Sequence, residues 1–143
     1  MRTFRLRVWD KIEGNWLDQS KAINRFVPDK AEPHIYDFTN EDGKLEFTQF
    51  TGMVDAENQE VYEGDILVNL DLIPEERQYW PVTFEDGVFV VNDSAMWDYA
   101  AAAFGGKVTN QLDDLVVEGN IYQDRQLLSE WQLKHLKELG YAV

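Results

Sequence analysis

Residues 82–91 read Val82-Thr83-Phe84-Glu85-Asp86-Gly87-Val88-Phe89-Val90-Val91, two apolar runs on either side of Asp-Gly. That dipeptide accepts positive φ at both positions, as a type I′ turn demands, so the stretch predicts a tight β-hairpin. Upstream, Ile66-Leu67-Val68 with Leu70 forms a compact apolar strand, preceded by Glu63-Gly64-Asp65 and by Val61-Tyr62. A turn at Asp55–Gln59 separates these from a strand carrying Leu45, Phe47, Gln49 and Phe50, and residues 71–79 make a polar connection through Pro74. Downstream, Leu115-Val116-Val117-Glu118-Gly119-Asn120-Ile121-Tyr122 is a further strand, in which the glycine marks a bulge or a close approach.

The first residues alternate. Phe4, Leu6 and Val8 fall on one face of an extended strand and Arg5, Arg7 and Trp9 on the other. Asp10 to Asn15, with Gly14, is a turn, and Trp16-Leu17 starts a return strand. Residues 18–44 are polar and irregular, with a short strand at Ile35, Tyr36 and Phe38, and read as an insertion or mobile loop. Two helices are predicted. Asp93 or Ser94 caps one that carries Met96, Trp97, Ala100, Ala101 and Phe104 and ends at Gly105-Gly106. The other starts near Asp124, gathers Leu127, Leu128, Trp131, His135, Leu136 and Leu139 on one half of the wheel, and stops at Gly140.

The fold class that follows is α+β, predominantly β: a small antiparallel SH3-like barrel or curled sheet with an N-terminal hairpin, an inserted helix and a C-terminal helix. The 143 residues suit one domain, 1–143, with an N-terminal strand and irregular segment (1–44), a β core (45–123) and a C-terminal helix (124–140).

Composition removes whole classes of chemistry. There is no cysteine, which excludes disulfides, thiolate zinc, iron–sulfur clusters and cysteine nucleophiles. No apolar run approaches the roughly 20 residues of a membrane helix, and Met1-Arg2-Thr3-Phe4 opens no signal peptide, so a cytosolic protein without membrane association is expected. Net charge is −14, and it is uneven: residues 1–30 carry +3 and residues 31–143 carry −17. So acidic a body repels polyanions. The asymmetry itself suits either solubility with local neutralisation or contact between the basic and acidic parts of neighbouring copies in a homo-oligomer.

Candidate sites are few. Asn40, Asp42 and Gly43 fit three positions of a calcium loop, but Phe38 and Gln49 stand where ligands are needed, so no metal is expected. Asp113 and Asp114 are sequence neighbours, and neighbours on a strand point to opposite faces, so a solvated acidic surface is expected there and not a chelate. His135 reads as a packed helix residue and His34 as a surface one. No nucleophile elbow and no glycine-rich phosphate loop is present, so neither catalysis nor a cofactor is expected. Arg5, Arg7, Trp9 and Lys11 are the candidate nucleic-acid-binding residues, with guanidinium groups for phosphates and an indole to stack a base. Arginine stems lying on apolar surface, their heads paired with carboxylates, explain the same strand more simply. A third option is that the acidic surface imitates DNA and occupies a DNA-binding protein.

Four ordered blocks carry a resemblance. Leu6-Arg7-Val8-Trp9-Asp10 opens the first. Gln49-Phe50-Thr51-Gly52-Met53, Asp55 and Glu60-Val61-Tyr62-Glu63-Gly64-Asp65-Ile66-Leu67 make the second. Val82, Phe84, Asp86, Gly87 and Phe89 make the third, and Val117-Glu118-Gly119-Asn120-Ile121-Tyr122 followed by Leu127-Leu128 the fourth. Together they resemble the YopX family of small bacteriophage and prophage proteins over residues 6–128. The resemblance implies a β-rich core with a barrel-like portion, a bacterial host cytoplasm and a capacity to form oligomers. It implies no activity and no catalytic residue. One departure is that the family's Asn-Gly turn is Glu57-Asn58 here, leaving Asn58 to supply positive φ.

The shared residues read as architecture. Gly52, Gly64, Gly87 and Gly119 fall at turns or bulges, Asp86 in the hairpin turn, and Tyr62 and Tyr122 offer a large ring with one polar handle. Asp65, just after Gly64, is placed to bond backbone N–H groups across the turn, and Trp9, Asp10 and Asn120 belong to the same structural set. The expectation is a non-enzymatic, oligomeric, protein-binding accessory protein of unknown partner. The alternatives are a weak nucleic-acid binder using the basic strand and an acidic DNA mimic.

Overall fold

A computed structural model of the chain describes residues 5–17, 44–103 and 107–143. The candidate strand at Ile35–Phe38, His34, and the calcium-loop positions Asn40, Asp42 and Gly43 lie outside them, as do Phe4, Phe104 and the Gly105-Gly106 pair. The described chain forms two compact units, one within Arg5–Gln49 and the other within Phe50–Val143.

The smaller unit is built on a strand that is central to its sheet. Strand β1 (Leu6–Asp10) pairs antiparallel with β2 (Asn15–Trp16) on one side and with the first half of β3 (Leu45–Val54) on the other. The β2 neighbour was expected from the Gly14 turn; the pairing with β3, across residues 18–44, was not. Asp10 closes that turn, its Oδ1 accepting the N–H groups of Ile12 at 2.9 Å and Glu13 at 3.0 Å. Val8 and Trp9, on opposite faces of β1, are both buried.

The larger unit begins with the second half of β3. It continues through β4 (Glu60–Tyr62), β5 (Asp65–Asn69), β6 (Tyr79–Pro81), β7 (Thr83–Glu85), β8 (Val88–Val91) and β9 (Ser94–Ala95). Strands β10 (Ala100–Ala103), β11 (Lys107–Leu112) and β12 (Leu115–Asn120) follow, then helix α1 (Glu130–Glu138). The sheets are β12-β5-β6, β7-β8-β9, and the β10-β11 hairpin, which meets β3 in parallel through Gln111 and Val54. They do not close into a barrel.

Strand β5 explains why Ile66-Leu67-Val68 is apolar without alternation: it is the middle strand of its sheet and is buried on both faces. Leu67 joins Val61, Val82, Val91, Met96, Leu112 and Leu115 in one core. Ile66, one residue earlier and therefore on the other face, joins Ile121, Leu128 and Leu136 in a second. The Asp86-Gly87 hairpin forms as expected, with φ of 53° and 84° and Glu85 opposite Val88. Asn58 takes φ 67°, so the glycine-free turn survives.

The expected SH3-like barrel is not found, because the strands divide among separate sheets, and two further expectations fail. The inserted helix is absent: Met96–Tyr99 makes a single 3-10 turn, and Ala100–Ala103 is β10, with Ala100 opposite Leu112. The backbone is extended on both sides of that turn, at Ala95 and Ala100. Alanine's advantage in a helix is only tenths of a kcal/mol per residue, roughly 0.7 at most, and ladder pairing with β11 outweighs it.

The C-terminal helix, for its part, starts at Glu130 rather than near Asp124. Ser129 and Gln132 form a reciprocal capping box: Ser129 Oγ accepts from Gln132 N at 3.1 Å and Gln132 Oε1 from Ser129 N at 2.9 Å. Residues 125–127 are a separate 3-10 turn and Leu128 is extended. The later start turns the face: Leu133 and Leu136 pack inward, while Trp131 and Leu139 are exposed. Gly140, at φ 98°, follows the helix as expected.

Candidate functional site

The signature residues read as architecture, and the side-chain oxygens of Asp10, Asp65 and Asn120 among them do accept from backbone N–H groups. Gly64 (φ 88°) lets the chain reverse between β4 and β5, and Asp65 Oδ2 accepts from Tyr62 N at 2.8 Å across that reversal. The reversal is locked from two sides. Gly64 N donates to Val82 O at 2.7 Å, and Gly64 O accepts from Ile121 N at 2.8 Å. Opposite Asp65 in the ladder is Asn120, whose Oδ1 accepts from Tyr122 N and Gln123 N. Gly119 sits at the bulge of β12, where an added Cβ would fall on the Asp124 carboxylate, and Asp124 Oδ2 itself accepts from Asn120 N at 3.0 Å. Gly52 (φ 84°) lies in the irregular part of β3 opposite β4.

Asp55 does more than its place in a turn foretold. It is 1% exposed, and its Oδ1 accepts from Glu57 N and Gln59 N while Oδ2 accepts from Val117 N, 62 residues along the chain. One carboxylate thereby shapes the β3–β4 turn and ties it to β12. Among the described residues no three His, Asp or Glu side chains are arranged to hold a metal ion.

The basic strand is arranged differently from the candidate nucleic-acid site. Trp9 is buried to 8% exposure and meets Trp16 edge-on, ring centroids 5.0 Å apart. The Arg7 guanidinium lies 4.0 Å above the Trp16 ring, and its Nε reaches Thr48 Oγ1 at 3.4 Å. Arg5 and Lys11 are exposed, Lys11 in the turn beside the exposed Ile12. An indole buried to this degree offers no open face to a base.

A different surface gathers chemistry, all of it within residues 50–143. Trp80 on β6 forms a wall between two recesses. On one side a recess of about 50 Å³ is lined by Thr83, Glu85, Trp131 and His135. Thr83 and Glu85 are two apart on β7 and so share a face; Trp131 and His135 are four apart on α1 and stack, 5.5 Å between centroids and 9° between planes. His135 Nε2 is 3.6 Å from Glu85 Oε1, and Thr83 Oγ1 donates to Glu85 Oε2 at 2.7 Å. The carboxylate stands between hydroxyl and imidazole, whereas hydroxyl activation needs the imidazole in the middle. Gln132 Nε2 donates to Tyr79 O at 2.7 Å and fixes α1 against β6. His135, expected inside the helix packing, is one-third exposed.

On the other side of Trp80 a larger recess, about 270 Å³, is lined by Tyr99, Asn69, Asp98, Asp113 and Asp114. The Trp80 and Tyr99 rings are 6.2 Å apart, tilted by 40°. Sequence reading missed this surface because it joins β6, a 3-10 turn and the β11–β12 turn, which are distant in the chain. One signal was available: Ser129-x-x-Gln132 marks the true helix start and with it the outward position of Trp131.

Comparison with solved structures finds the fold in one protein and a looser likeness to a second. Protein EF1440 from Enterococcus faecalis is 23% identical, with a TM-score of 0.56 over 89% of this chain and 99% of its own. Protein yopX from Bacillus subtilis is 21% identical, with a TM-score of 0.46 over 90% of this chain and 100% of its own. No curated protein sequence matches. The family described as YopX protein matches residues 5–129, nearly the span of the four sequence blocks, and the chain belongs to that family.

Proposed function

We propose that the protein is a non-enzymatic binding module, a phage- or prophage-type accessory protein of the bacterial cytoplasm, that acts in oligomeric form by engaging another protein through the Trp131–Trp80–Tyr99 surface. One observation carries the reading: Trp131 is 66% exposed on a helix that is capped at its start and tied to β6, at the edge of the smaller recess. Large aromatic side chains held rigidly at the surface are the usual anchors of protein–protein recognition. The buried Trp9 and the −17 charge of residues 31–143 weigh against nucleic acid as the partner.

The test is affinity capture from host lysate by the wild-type protein and by Trp131→Ser, with light scattering for the mass of each. The reading expects one dominant protein retained by the wild type and lost, by about tenfold or more, by a Trp131→Ser protein of unchanged melting temperature. Equal retention by the two removes this surface from the function. Capture of a DNA-binding protein that free DNA displaces replaces the reading with DNA mimicry, and DNA uptake that falls steeply with salt replaces it with the basic strand.

A further inference from the structure

We infer that the recess between Trp80 and Tyr99 receives a lysine or arginine side chain of the bound protein. This rests on the protein-binding reading above and names what that surface recognises.

The groove has an aromatic lining and a charged rim. Trp80 and Tyr99 supply ring surface, and Leu115 extends it. Asp98 follows Trp97 in the 3-10 turn, while Asp113 and Asp114 form the β11–β12 turn; all three carboxylates are exposed, and none pairs with a cationic side chain among the described residues. The mouth is fixed in shape, because Asp113 N donates to Tyr99 O at 3.0 Å and joins the two turns.

Those features choose among occupants. A purely apolar side chain would cover the carboxylates and give them nothing in exchange for water. An anion would meet three like charges. A metal ion finds no set of three ligands here. A lysine or arginine satisfies both parts: its methylene stem lies along the rings, and its charged head meets ring faces and carboxylates at the rim. Long-range charge agrees, since the −17 of residues 31–143 attracts a basic partner.

The experiment is an amide and indole NMR titration of the full chain with a blocked tetralysine peptide and, as control, a blocked tetraserine peptide. Trp80→Phe identifies the Trp80 indole signal. The inference expects saturable shifts at Trp80, Asp98, Asp113 and Asp114 with tetralysine only. It also expects the D113N/D114N double variant to bind about three- to tenfold more weakly, as two exposed ion pairs would give. Both aspartates are exposed, so the variant keeps its fold.

Shifts of equal size at the exposed Glu13 and Glu138, remote in sequence from every residue that lines the groove, would reduce the effect to general charge and overturn the inference. So would unchanged binding by the double variant. Shifts at these residues that grow with protein concentration and need no peptide assign the groove to a second copy, against the inference. Lysate capture separates the two levels. If D113N/D114N retains the partner and Trp131→Ser loses it, only the groove's role fails; if both retain it fully, the protein-binding reading fails as well.

Discussion

Two regions of the larger unit handle polar groups in opposite ways. Where the Tyr62–Asp65 reversal meets Gly119–Tyr122, the named side-chain oxygens of Asp65, Asn120 and Asp124 accept hydrogen bonds from the protein's own backbone. Around Trp80, by contrast, an exposed indole and three exposed carboxylates face solvent on elements held just as firmly. The first region holds Tyr62, Gly64, Asp65, Gly119, Asn120 and Tyr122, which carry the sequence resemblance, and the second holds few such residues. Strong motifs thus mark where the fold is secured, and the surface proposed for recognition is one the motifs leave open.

The contrast sharpens through substitutions that act on one region and spare the other. Asp55→Ala should cost most, about 3–5 kcal/mol, because it strands three N–H groups, Val117's among them, in a buried site. Urea unfolding measures it, and Asp55→Asn, which keeps an acceptor oxygen, should recover part of the loss. Gly119→Ala comes next, at about 2–3 kcal/mol, since Asp124 must leave its place under Asn120 N. Pairing Gly119→Ala with Asp124→Ala should cost less than the two separate losses combined, and simple additivity would show that the clash is not the cause.

Ser129→Ala should cost about 1 kcal/mol and lower the melting temperature by about 3 °C, through loss of the helix cap. It is a useful bridge between the regions, because a loosened α1 should weaken partner capture with the aromatic residues intact. Trp131→Ser should shift stability by less than about 0.5 kcal/mol while removing capture. A large stability loss in that variant would move Trp131 from the recognition surface to the packing.

Legibility in the sequence follows the same division. The Asp86-Gly87 hairpin, the positive φ of Asn58 and the Asp65 turn were readable because two to four adjacent residues determine each one. Ala100–Ala103 misled because alanine's helical preference is weak and its partner, Lys107–Leu112, is fixed by tertiary pairing. The start of α1 was displaced because the apolar periodicity runs through Leu127 and Leu128, which pack from outside the helix. The wall of Trp80 was illegible for a simpler reason: its neighbours Tyr99, Asp113 and Trp131 meet it only after the chain has folded.

The position of β5 has a further consequence, for the order in which the protein is made. Its strongly apolar residues 66–68 leave the ribosome well before Leu115–Asn120, the strand that flanks them on one side. At typical synthesis rates that gap is about 3–10 s, during which a sticky edge lies open on the nascent chain. Chaperone capture of translation intermediates should therefore peak while β5 is out and β12 is still in the exit tunnel, and vanish soon after β12 emerges.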